Sequence, residues 1–164
     1  MDPTATLLTP VAEYLSTSYT PDVDYLDGRL EERNVGTKPH GKMTFRIAKL
    51  LESHGLAAFI ETRLRINATR FRVPDVCAYL VEPDEDVFTK PPLLCVEVLS
   101  SEDRLSKVVA LAKEYLAMGV PVVWVIDPVG RQAFTVAPLA GFYENTGAPL
   151  SAGEVHLSLK EIFE

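Results

Sequence analysis

Apolar residues at Met43, Ile47, Leu50 and Leu51 recur three and four positions apart, the spacing that lines up one stripe of a helix. Thr37 offers an N-cap for that helix, Pro39 is tolerated in its first turn, and Gly55 ends it. A second stripe runs through Leu105, Val108, Val109, Ala112, Tyr115 and Leu116. Ser100-Ser101-Glu102-Asp103 offers caps ahead of it, and Gly119 closes it, as glycine commonly does past a helix. Val11 to Ser18 predicts a short helix stopped by Pro21, and residues 1–10 read as a loose end.

Elsewhere the period changes to two. Tyr25-Leu26-Asp27-Gly28-Arg29-Leu30 reads as strand, turn, strand, because Asp-Gly accepts the positive φ angles of a tight hairpin. From Ala58 to Ile66, Ile60, Thr62, Leu64 and Ile66 share one face, and Glu61, Arg63 and Arg65 share the other. Phe71 to Val81 predicts a further strand, joined to the previous one by Asn67-Ala68-Thr69. A charged, proline-flanked loop follows over residues 83–92. Leu93 to Leu99 and Val122 to Ile126 are almost wholly apolar, as strands covered on both faces are. Asp127-Pro128 ends the latter, Arg131 to Ala137 is its expected hairpin partner, and residues 153–164 read as a short strand and a terminal helical turn. The order predicts an α/β fold with a mixed β-sheet core flanked by helices. No repeat or linker divides the 164 residues, so one domain is expected: an extension over 1–20, a core over about 24–137, and a C-terminal strand and helical turn over 138–164.

Composition narrows this little. A hydrophobic share of 47% and a charged share of 24% are ordinary for a globular chain. No apolar run reaches the length of a membrane span and no basic-then-apolar leader opens the chain, so a cytoplasmic protein is expected. Cys77 and Cys95 sit inside apolar runs and read as buried small hydrophobes rather than a disulfide. The net charge of −7 argues against a general nucleic-acid coat, which needs Lys and Arg to replace phosphate counterions. Arg63, Arg65, Arg70 and Arg72 nevertheless make a local basic stripe, which fits either a phosphate-bearing substrate or a solvated strand face.

Two carboxylates stand out because their surroundings are wrong for them. Glu97 lies in the middle of Leu94-Cys95-Val96-Glu97-Val98-Leu99, and Asp75 lies within Val73-Pro74-Asp75-Val76-Cys77. An ionised carboxylate in such a run requires a cation or hydrogen-bond donors. With a period of two, Asp75 shares a face with Val73 and Cys77, and Glu97 shares one with Cys95 and Leu99. If those faces coincide, two hard-oxygen ligands converge, as Mg²⁺ or Mn²⁺ requires. The alternative is that each carboxylate pairs with an arginine such as Arg70 or Arg72.

The sequence resembles the PD-(D/E)XK nuclease pattern and, more narrowly, the Uma-two family of restriction-endonuclease-like proteins. Four segments carry the resemblance: Leu26-Asp27-Gly28-Arg29-Leu30-Glu31-Glu32, Arg72-Val73-Pro74-Asp75-Val76, Val96-Glu97-Val98-Leu99-Ser100, and Tyr115 to Val120 leading to Val123-Trp124-Val125-Ile126-Asp127-Pro128. It implies a Mg²⁺- or Mn²⁺-dependent endonuclease acting on DNA, with Asp75 and Glu97 holding the metal and the Val98 carbonyl adding a ligand. It also implies acidic Glu32 and His40 in the same neighbourhood. The superfamily's lysine two residues after the Glu is replaced by Leu99, and the alternative helix position is Leu111. Lys107 lies one turn before Leu111, about 40° around the helix, and is the substitute for steadying a hydroxide; Lys113 lies about 160° away. Arg63, Arg65 and Arg72 are the expected backbone contacts. The two departures also fit a catalytically inactive nuclease fold that binds nucleic acid or a partner. A homodimer is expected from the late apolar residues Phe134, Leu139, Phe142 and Tyr143 and from the resemblance; no membrane partner is expected.

Overall fold

The computed structural model describes residues 7–164. A short helix, α1 (Val11–Ser16), leads into a hairpin of β1 (Asp24–Leu26) and β2 (Arg29–Glu31), followed by the long helix α2 (Lys38–Ser53). Four short strands follow: β3 (Ala57–Ile60), β4 (Leu64–Asn67), β5 (Arg70–Arg72) and β6 (Val76–Tyr79). Then come β7 (Leu94–Val98), α3 (Leu105–Met118), β8 (Val122–Asp127), β9 (Gln132–Ala137), β10 (Gly141–Asn145), β11 (Leu150–Ala152), β12 (Val155–Leu157) and α4 (Leu159–Phe163). Among the described residues no helix is long and apolar enough to cross a membrane.

The predicted mixed sheet is present. Six strands run in the order β10-β9-β8-β7-β6-β3, with β7 and β8 parallel and the other pairs antiparallel. Both faces are covered, which is why β7 and β8 are continuous apolar runs. On one face Val76, Leu94, Val96 and Trp124 pack with Met43, Ile47 and Leu51 of α2. On the other Cys77, Cys95, Val123 and Val125 pack with Val108, Ala112 and Tyr115 of α3. Cys77 and Cys95 are free, buried thiols, as their apolar settings imply. The Asp27-Gly28 turn has φ of 51° and 92°, the two positive angles that this dipeptide accommodates. Gly119 at φ 116° ends α3 in the left-handed region.

The structure corrects several boundaries. Ala58–Ile66 is two strands rather than one: β3 belongs to the six-stranded sheet, and β4 to a separate four-stranded sheet ordered β2-β1-β5-β4. The break falls at Glu61, whose φ of 49° lies in the left-handed region. Phe71–Val81 breaks likewise between β5 and β6, at Pro74, which has no N–H to give a ladder. Alternation of apolar residues persists through both breaks, so the pattern alone did not show them. Ser100–Asp103 does not cap α3: the N-cap is Arg104, with no side-chain bond to the helix, while Asp103 accepts from the Ser100 N–H at 2.7 Å. Of the expected loose end, residues 1–6 lie outside the described residues. Thr9 is tied down, its N–H donating to the Gly28 carbonyl and its own carbonyl accepting from the Tyr25 hydroxyl. The extension also packs, with Tyr14 fully buried against Tyr25 and Phe71. Strands β10 and β11 were not expected.

The core also extends past residue 137. Leu150, Ala152, Val155, Leu157 and Ile162 all enter the cluster formed by α2 and the sheet. Ile162→Ala is therefore expected to cost about 2–5 kcal/mol in urea denaturation, the usual range for truncating a fully buried aliphatic side chain. A loss below about 1 kcal/mol would show that the C-terminal helix is peripheral.

Candidate active site

The pairing of β6 with β7 sets Cys77 opposite Cys95 and Val76 opposite Val96, so one step further along the ladder Asp75 stands at the level of Glu97. Both residues line one cleft of about 290 Å³. The strand breaks make this possible: β6 starts only after Pro74, leaving Asp75 at its mouth, where the chain passes between the two sheets.

Asp75 is buried, with a partner at each carboxylate oxygen. The Val98 N–H donates to its Oδ2 at 2.8 Å, and Arg33 Nη2 donates to its Oδ1 at 3.2 Å. His40 Nε2, at the start of α2, lies 3.3 Å from Oδ2. Glu97 is half-buried and differently placed: its Oε1 accepts from the Tyr115 hydroxyl at 2.7 Å, and this is its one side-chain hydrogen bond among the described residues. Burial pushes the Glu97 carboxyl well above the usual carboxylate range, and the Asp75 charge pushes the same way, outweighing Tyr115 and Arg33. Burial of Arg33 works against its charge, but Asp75, Glu97, Glu61 and Asp24 together outweigh that, so its guanidinium stays firmly cationic. The His40 imidazole is held above its ordinary value by the hydrogen bond to Asp75, against the effect of burial.

The other expected residues divide into two groups. Glu32, Lys107, Arg72 and Val98 line the cleft with Asp75, Glu97 and His40. Glu32 is exposed on the rim. Lys107 is 75% exposed with its Nζ 3.6 Å from Glu31, and unlike Lys113 it borders the cleft. Arg72 is held in the wall by Asp24 at 3.0 Å and Glu114 at 2.7 Å. Arg63 and Arg65 are not brought to the cleft. Arg63 is gripped by both oxygens of Asp22 and by the carbonyls of Tyr14 and Thr17, anchoring α1. Arg65 bonds the carbonyls of Asn67 and Ala68 and lies over the Phe71 ring. Neither Arg70 nor Arg72 pairs with Asp75; both bind Glu114. The cation at Asp75 is Arg33, which sequence reasoning missed. It follows Glu31-Glu32 in the link from hairpin to helix, where no period marks an inward-facing side chain.

The donor set suits a hard divalent ion with a mostly aqueous shell. Two carboxylates line the same cleft, one Glu97 oxygen takes no hydrogen bond among the described residues, and the cleft leaves room for waters. Among the described residues no three His, Cys, Asp or Glu side chains form a ready-made metal cage. Two carboxylates with water and substrate oxygens are the usual complement for Mg²⁺.

Comparison with known proteins identifies a family and a fold. The Uma2 family, described as "putative restriction endonuclease", matches residues 11–164. A crystal structure of a putative nuclease belonging to DUF820 from Anabaena variabilis superposes with a TM-score of 0.79 at 22% identity, covering 94% of this chain and 98% of that one. It is therefore similar in fold. No curated protein matches the chain.

The proton balance gives a test. The folded-state values of Glu97 and His40 are both raised, so the folded protein holds more protons than the unfolded chain above about 4.5 for the carboxyl and 6.5 for the imidazole. Stability without metal should fall as pH rises through that range. Glu97→Gln keeps an acceptor for Tyr115 and removes the titrating acid. In EDTA at pH 8 its Tm is expected to exceed the wild type's by several degrees, on a scale of ~2–4 °C per kcal/mol, with the gap closing toward pH 5. Equal Tm values at both pH values would contradict a strained Glu97.

Proposed function

The chain belongs to the Uma2 family, and on that premise we propose that it is a metal-dependent nuclease hydrolysing phosphodiester bonds of DNA. The observation that carries this reading is the Asp75–Glu97 pair, level with each other at the end of the β6–β7 ladder and lining a cleft that also holds the half-buried Arg33. Asp75 and Glu97 would hold Mg²⁺ or Mn²⁺, with the Val98 carbonyl as a further oxygen. A bound ion of this kind supplies a water of lowered pKa and neutralises charge on the phosphate.

The chain's own groups have separable tasks. The Val98 N–H and His40 hold Asp75 Oδ2 from two sides and fix the orientation of the carboxylate. Tyr115 fixes one oxygen of Glu97 and leaves the other to the cleft. Arg33 offers N–H donors beside both carboxylates, where a guanidinium suits phosphate oxygens. It stands in for the lysine that Leu99 and Leu111 do not provide. Lys107, exposed at the mouth, meets the phosphate backbone earlier and more loosely. Glu32 sits on the same rim and Arg72 braces the wall. The edge strand β10, with exposed Phe142 and Tyr143 and the adjacent Leu139 at 103% exposure, supports a homodimer; Phe134 does not contribute, since it is buried and stacked on Phe142.

A second reading, a nuclease fold that binds without cutting, is favoured by one observation: both lysine positions are apolar, and Asp75 already has a cation. Cleavage of supercoiled plasmid DNA with Mn²⁺ separates the two. Asp75→Ala and Glu97→Ala are expected to abolish nicking. Arg33→Met is expected to lower the rate about 100-fold, the scale of one charge-stabilising group, and Lys107→Met less than about 10-fold. Wild-type protein silent with both Mg²⁺ and Mn²⁺ would favour the second reading. A larger effect at Lys107 than at Arg33 would reverse their roles.

A further inference from the structure

Helix α2 turns one face to the sheet and a differently composed face to solvent. Its sixteen residues carry Lys38, Lys42, Arg46 and Lys49 against a single acid, Glu52, within a chain of net charge −7. Lys42, Arg46 and Lys49 fall within ~60° of one another around the helix and span ~10 Å along it. All three are exposed, and none takes part in an ion pair with a carboxylate among the described residues. Phe45 stands beside them, 64% exposed. These residues form one wall of an open groove of about 840 Å³, with Arg131 on the far side. Glu161 and Glu164 also border the groove, but the Glu161 carboxylate is committed to the N–H and hydroxyl of Ser158.

The groove begins where the cleft ends. Pro39 and Gly41 line it, while His40 between them points to Asp75 in the cleft. A strand leaving the Asp75–Glu97 pair past the first turn of α2 would therefore meet Lys42, then Arg46, then Lys49. Over that length the three cations face successive phosphates of one strand. An exposed aromatic ring among cations is also the combination that binds unpaired strands, the cations taking phosphates and the ring stacking on a base.

We propose that the outer face of α2 is a docking track for single-stranded nucleic acid, with Lys42, Arg46 and Lys49 on the phosphates and Phe45 against a base. The inference deepens the nuclease reading and rests on it for the choice of nucleic acid as partner. It implies that the strand beside the cleft is unpaired, at an end, a flap or a melted segment.

The test is the fluorescence anisotropy of fluorescein-labelled (dT)20 in EDTA, where no cleavage can occur. Arg46 is left intact because it also donates to the Ile162 carbonyl, whereas the Lys42 and Lys49 side chains are exposed and make no ion pair among the described residues. Lys42→Ala/Lys49→Ala, with an unchanged melting curve, is expected to weaken binding at least ~10-fold. It should also lower the slope of log K against log salt by ~1.4, at ~0.7 per phosphate. Phe45→Ala should weaken binding several-fold and leave the slope alone. Wild-type affinity and slope in the double variant would overturn the proposal. So would preference for a duplex of equal length, or binding to vesicles of equal phosphatidylcholine and phosphatidylserine in place of (dT)20. A change in mass by light scattering without a change in oligonucleotide binding would instead make the face a contact between copies. Binding without cleavage by the wild type leaves the track standing and removes the nuclease reading. Cleavage with binding unaffected by the double substitution does the reverse.

Discussion

Two carboxylates at the end of a dry sheet repel each other and lose hydration, and the rest of the site is organised around that cost. Asp75 is made tolerable by three donors: the Val98 N–H, Arg33 and His40. Glu97 has one, and burial beside Asp75 favours its protonated form. The asymmetry is informative. A pair meant only to hold the fold together would be matched with cations on both members, since an unmatched buried charge is expensive. Here one member has a cation beside it and the other favours its protonated form, an imbalance of the kind found where a pKa is tuned.

The architecture supplies that geometry through its interruptions. If residues 57–67 and 70–79 formed unbroken strands, Asp75 would sit inside a ladder. Instead the chain crosses from one sheet to the other at Glu61 and again at Val73-Pro74-Asp75. The crossing opens the cleft, and the N-terminus of α2 enters it with His40. Helix α3 closes the opposite side, its Tyr115 reaching Glu97 and its Glu114 holding Arg70 and Arg72. A network of Asp24, Arg72 and Glu114 thereby ties the hairpin sheet to α3.

Much of this was legible in the sequence, and the reasons differ by element. The mixed sheet followed from Leu93–Leu99 and Val122–Ile126, runs too apolar to have a wet face. The parity of Asp75 with Cys77 and of Glu97 with Cys95 identified two faces, and the register sets Cys77 against Cys95. What stayed hidden lacks a period. Arg33 sits in an irregular link, and only the folded path shows that it turns inward. The arginine stripe misled because alternation along a strand does not reveal that Asp22 and Glu114, distant in sequence, already hold Arg63 and Arg72. The C-terminal contribution to the core was understated because β11 and β12 are only three residues each, too short for a period to show.

The central claim, that Asp75 and Glu97 form a metal site, is tested most directly by titrating Mn²⁺ into the full-length protein and following the free ion by electron paramagnetic resonance at pH 8. The account predicts one or two bound ions per chain, displaced by excess Mg²⁺ and lost in Asp75→Ala and in Glu97→Ala. Undiminished Mn²⁺ binding in both variants, or no binding by the wild-type protein, would contradict it.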